Sequence, residues 1–188
     1  LTTGSANTVI GYEAFDNANG SESNNTAIGS HALSAFTADG TNRNTAVGVM
    51  ALGTAQAGNL NTAIGSRAIS NALVTGDGNT AIGESALYAL TSGEKNLAVG
   101  ALAADAVTIG RYNTAVGYEA LDTDDIGDSS TAIGFQSLRL QNSNSNNETT
   151  GNTGCGVQTG YFNEEGQNNT WIGFRAGQGV TGNDNSSN

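Results

Sequence analysis

One nine-residue string, N-T-A-[IV]-G-x-x-A-L, governs what this chain can fold into. It recurs ten times between Asn7 and Gly177, at Asn7, Asn25, Asn44, Asn61, Asn79, Asn96, Asn113, Ser130, Asn152 and Asn169. The motif glycines, from Gly11 to Gly173, are 17 to 19 residues apart except for one gap of 22. Helical repeats are longer, about 33 to 47 residues. The string is also poor helix: Thr, Ile and Val are β-branched, and Asn and Gly disfavour helix interiors. Each unit therefore reads as one coil of a β-solenoid, stacked in parallel and in register on the next.

In N-T-A-I-G the side chains alternate across a strand. Thr and Ile are expected on one side, forming an apolar core with the Leu of a second short strand, x-x-A-L. Asn, Ala and Gly are expected on the other. Asn ladders can hydrogen-bond along the axis, as stacked Asn does in cross-β assemblies. The chain has no Pro, which suits a fold in which nearly every strand is central and needs its N–H groups. Ten coils at about 4.8 Å make a rod of roughly 48 Å.

Such a core is thin. Aromatics make up 6% of the chain, while ordering each residue costs about 1–2 kcal/mol. Seven of the ten copies carry Ala at the third motif position, from Ala27 to Ala132. This is read as a packed seam between subunits rather than a residue fitted to a narrow turn, and it points to an oligomer with its axis along the rod.

The motif resembles the head repeat of trimeric autotransporter adhesins, N-S-V-A-I-G-x-x-S. It resembles more closely the N-T-A-I-G-x-x-A-L arrays of phage tail fibres. The resemblance spans nearly the whole chain. It implies a left-handed parallel β-roll in which three chains form one stiff fibre, Ile28 and its equivalents fill the roll, and Gly29 and its equivalents allow a tight bend. The longer period, and Thr where the adhesin has Val or Ser, favour the phage-fibre version. The implied role is attachment to a host surface glycan or protein, outside the cell, on a virion or a bacterial surface. A self-stacking extracellular filament is a further variant.

The organisation read from the sequence is regular repeats over 1–138, an inserted loop over 139–150, degenerate terminal repeats over 151–177 and a flexible tail over 178–188. Segments such as Ser34 to Arg43, Asn71 to Gly78 and Asp122 to Ser129 differ between copies and are candidate binding loops. The chain begins at Leu1 rather than Met, which suggests a fragment or a processed product.

Functional chemistry is sparse. Six Lys plus Arg against 17 Asp plus Glu, a net charge of −11, leave no basic patch for nucleic acid. No apolar run approaches the ~20 residues that span a bilayer. His31, the only histidine, stands at a freely varying position and reads as solvent-facing. Cys155 stands at an Ile position and reads as a small core residue. One His and one Cys make no zinc set, and any nucleophilic triad would have to use His31. Asp122, Asp124, Asp125 and Asp128 begin like a calcium loop, but Ile126 and Ile133 stand where ligands are needed. Glu164 and Glu165 are a carboxylate pair of the type glycosidases use. Tyr161, Phe162, Trp171 and Phe174 gather near the end as a cap or a sugar-stacking platform. No catalytic, cofactor or metal site is assigned, and the chain is read as a non-enzyme.

Overall fold

The computed structural model describes residues 4–18, 20–38, 42–71, 73–143 and 149–179. Ten three-residue strands form one parallel sheet in sequence order: β1 (Thr8–Ile10), β2 (Thr26–Ile28), β3 (Thr45–Val47), β4 (Thr62–Ile64), β5 (Thr80–Ile82), β6 (Leu97–Val99), β7 (Thr114–Val116), β8 (Thr131–Ile133), β9 (Thr153–Cys155) and β10 (Thr170–Ile172). Corresponding motif positions pair at every step, as Thr26 with Thr45, Ala27 with Ala46 and Ile28 with Val47. The degenerate copies keep this register, so β9 and β10 continue the same sheet. The chain is a β-solenoid with one motif per rung.

The rung differs from the expected two-strand coil. The x-x-A-L segment is a turn, not a strand. Its second x residue and its Leu both have positive φ, as at His31 (57°) and Leu33 (56°). A third left-handed residue precedes the motif Asn, as at Asn24 (62°). Among the described residues 26 non-glycine positions are left-handed, each normally unfavourable by about 1–2 kcal/mol. They persist because corner after corner is bonded to an adjoining rung. His31 N donates to Tyr12 O at 2.9 Å, Leu33 N to Ala51 O at 3.0 Å, and Asn24 N to Ser5 O at 2.9 Å. The motif glycine has a still more extended positive φ, 131° at Gly29. A Cβ there would lie 2.5 Å from Gly48 O, so the bend excludes any side chain.

The faces of the strand are also reversed from expectation. Ala27, Ala46, Ala63, Ala81, Ala98, Ala115 and Ala132 are fully buried within the single chain. Ile64, Ile82 and Ile133 are 38–41% exposed. The Leu column is inside as expected, and Ala32 and its equivalents beside it are inside too. Left-handed backbone at Leu breaks strand alternation, so Ala and Leu in sequence both turn inward. The opposite wall then already fills the roll, leaving room for a methyl group but not a sec-butyl. Ala is thus the narrow-interior residue, and the Ala seam between subunits is not formed. Cys155, in the Ile column, is exposed rather than packed in the core.

A column of amides runs beside the alanines. Asn61 Oδ1 accepts from Asn79 N at 2.8 Å, and Asn79 Oδ1 from Asn96 N at 3.0 Å. From Asn44 to Asn113 the Nδ2 donates to a glycine carbonyl across its own rung: Asn79 to Gly93 at 2.9 Å, Asn96 to Gly110 at 2.8 Å. Two of the segments read as free loops, Asn71 to Gly78 and Asp122 to Ser129, therefore carry a fixed glycine as well, Gly76 and Gly127. They also send Phe36, Val74, Leu90 and Val107 into the core.

The column is broken once, by Ser130. The wide gap that follows supplies the replacement: Gln141 Oε1 accepts from Asn152 Nδ2 at 2.8 Å, and Gln141 Nε2 donates to Ser130 Oγ at 2.9 Å. Buried Asp124 accepts from Gln141 Nε2, Gly127 N and Ser143 N. The base of the inserted loop is thus tied into the interior; its residues 144–148 lie outside the described ones, as does most of the predicted tail.

The last rung closes the roll with one large side chain. Trp171 takes the Ala position, while Gly154, Gly160 and Gly177 replace neighbouring Ala and Leu residues. A Cβ on Gly160 would sit 2.8 Å from Trp171 Cε3. The glycines form the space that the indole fills.

Candidate functional site: the outer face and its acidic border

The reversal of the strand places β-branched and aromatic residues on the outside. The Ile/Val column runs the length of the rod, from Ile10 to Ile172. Beside it, just past the glycine bend, lie Tyr12, Val49, Tyr118, Phe135, Val157 and Phe174, all exposed. Tyr118 and Phe135 stack on adjacent rungs with centroids 5.7 Å apart and planes 11° from parallel. Taking about 150–250 Å² for each large side chain, the exposed parts sum to roughly 1,000 Å². The largest apolar patch on a typical monomer is about 300–600 Å². A standard interface buries about 800 Å² per partner.

A charged cluster borders this face where rungs 6 to 9 stack. The position after the Leu is Asp105, Asp122, Arg139 and Tyr161 in successive rungs. Arg139 Nε lies 2.8 Å from Glu119 Oε2 and 3.2 Å from Asp122 Oδ2. Its Nη1 donates to Tyr161 Oη at 2.7 Å. Burial raises the Asp105 carboxyl to about 7, helped by the charge of Asp122 and a hydrogen bond with it. Burial also raises Asp122, against the pull of Asp105's hydrogen bond and of Arg139. Burial opposes charge on Glu119 as well, but hydrogen bonds from Gln136 and Tyr118, with Arg139, outweigh it and hold its carboxyl low.

The residues singled out from sequence do not converge. Asp124 is buried, Asp122 belongs to the Arg139 cluster, and Asp128 accepts from Arg111 N. The four aspartates therefore form no loop-like cage. Among the described residues no three acidic, His or Cys side chains are placed to hold a metal ion, and no helix is long and apolar enough to cross a membrane. His31 is half-exposed and lies 2.8 Å from Glu13 Oε2. The terminal aromatics make no shared platform: Trp171 points inward, Tyr161 meets Phe162 edge-on at 4.7 Å, and Phe174 is on the outer face. Glu164 and Glu165 line a surface cavity of about 300 Å³ with Thr123, Leu140 and Asn142.

Sequence reasoning missed both the outer face and the Asp105–Asp122 pair. The first was hidden by the assumption that the larger apolar residue goes inside. The second had a signal, an Asp at the same position in two consecutive copies. No family model, curated protein or solved structure matches this chain.

Proposed function

We propose that the chain is a structural and adhesive fibre segment, of the kind found in phage tail fibres, in which three copies lie side by side along the rod. The observation that carries the reading is the apolar outer column, continuous over ten rungs and larger than a solitary soluble chain normally leaves in water. Repetition gives every rung the same contact, so the copies align parallel and in register. The turns on the remaining surface are left to meet a host glycan or protein. The repeat's resemblance to fibre arrays supports this role, as does the sparse set of reactive side chains.

Cys155 offers a direct test, because it lies in the proposed seam. With that column facing a threefold axis, the three thiols sit at one height near the axis. Light scattering of the purified protein then gives three times the chain mass. Mild oxidation with copper phenanthroline and oxygen removes two electrons and two protons from a thiol pair and leaves a covalent dimer. A monomeric mass at micromolar concentration, with Cys155 freely alkylated and never cross-linked, overturns the reading.

A further inference from the structure

The cluster bordering the outer face has more acid than base. Three carboxyls, Asp105, Asp122 and Glu119, share one guanidinium, Arg139. Both carboxylate contacts of that guanidinium go to Asp122 and Glu119. Asp105 stands one rung away from Asp122 in the same column, with no short contact to the guanidinium. Its other stacked neighbour is Tyr88, which offers no cation. Tyr118 and Tyr161 complete the titratable groups around the cluster, the first against Glu119 and the second against Arg139.

The backbone fixes the separation of the pair. Ala104 N donates to Ala120 O at 2.9 Å and Ala106 N to Asp122 O at 3.2 Å, on either side of Asp105. Rungs held in this way are about 4.8 Å apart. The side chains cannot move far from each other without breaking those bonds. The side chains of Glu119 and Asp122 are only 13% and 15% exposed, so solvent ions screen the cluster weakly.

We propose that Asp105 and Asp122 form a proton-held clasp between rungs 6 and 7, closed while one proton is shared and loosened when both carboxyls are ionised. In the closed state the protonated carboxyl donates to its neighbour, which keeps its bond to Arg139. In the ionised state two like charges face each other across a fixed rung spacing. The sign follows from Asp105 holding its proton more tightly when folded. Its stabilising contribution is complete below the ordinary Asp value and falls away as pH rises towards about 7. The rod is thus firmest at this point in mildly acid surroundings and loosest in alkaline ones. Because the cluster borders the outer face at Tyr118, loosening reaches the edge of that face. The clasp needs only one chain and stands whether or not three copies associate.

The test is carboxyl NMR with amide hydrogen exchange on the full chain between pH 5 and 9. One Asp carboxyl should titrate near 7, and exchange at Ala106 should accelerate at least tenfold from pH 6 to 8.5 beyond the intrinsic base effect. Asp105→Asn should abolish both. Asp122→Asn should lower the Asp105 titration while leaving the part of its rise that burial sustains. Glu165→Gln removes one exposed charge elsewhere and should leave both signals in place. If every Asp carboxyl titrates below 5, or if Asp105→Asn keeps the native pH dependence at Ala106, the clasp does not exist.

Discussion

Asn79 has three tasks in a fully buried position. It accepts from the backbone of Asn96, its Nδ2 donates to the carbonyl of Gly93, and that same Nδ2 reaches Asn61 Oδ1 at 3.2 Å. Asn79→Ala should leave a buried donor and a buried acceptor unpaired, at about 1–3 kcal/mol each. A loss of about 3 kcal/mol in urea denaturation is expected, and a loss below about 0.5 kcal/mol would deny the column its structural role. Asn79→Asp should cost more at neutral pH, because it turns a carboxylate towards the Gly93 carbonyl. The importance of these asparagines was legible from their repetition. The facing of Ala and Ile was not. Alternation along three residues says that Thr and Ile share a side, and that is correct. Which side is inner depends on how far away the opposite wall lies. That distance is set by left-handed residues such as Leu33 and Leu52, which no propensity marks in advance.

The rung as an element is a short strand plus corners that ordinary residues adopt under strain. Ser85 occupies one such corner at φ 53°. Ser85→Gly should relieve the corner and raise stability by about 0.5–1 kcal/mol, against some added freedom in the unfolded chain. A thermal melt is sufficient to check the direction. The terminal element behaves differently, because it ends on a plug rather than another rung. Trp171→Ala should cost about 2 kcal/mol, less than for a fully enclosed indole, and exchange should quicken first at β10. Gly177→Ala should act similarly from the other side, since a Cβ there overlaps the Trp171 ring. The cap was legible as a gathering of aromatics beside glycines. That only one of the four aromatics closes the roll was not, because Tyr161, Phe162 and Phe174 occupy columns whose direction depends on the corners. The odd 22-residue gap was legible as an insertion; its pairing with the Ser130 vacancy needed the fold.

For the whole molecule, assembly and stability should separate. Ile82 and Ile133 lie in the outer column and contribute little to the interior. The double change Ile82→Asp, Ile133→Asp should convert the proposed trimer to single chains by light scattering. The far-ultraviolet spectrum should stay native, and the monomer's own stability should move by no more than about 1 kcal/mol. Retention of three-chain mass would place the seam elsewhere. A parallel change at Ala81 and Ala115, inside the roll, should do the opposite and unfold the chain.

The ladder bonds of every rung point along the rod, between consecutive turns of one thread. Force applied at the two ends therefore pulls each storey directly off the next instead of sliding strands past one another. Each released storey lets out about 17 residues of slack, roughly 55–60 Å when taut, in exchange for a rise of about 5 Å. A single stretched thread should pay out in near-equal strides of about 50 Å, a built-in shock absorber whose stroke is written in the spacing of its glycines.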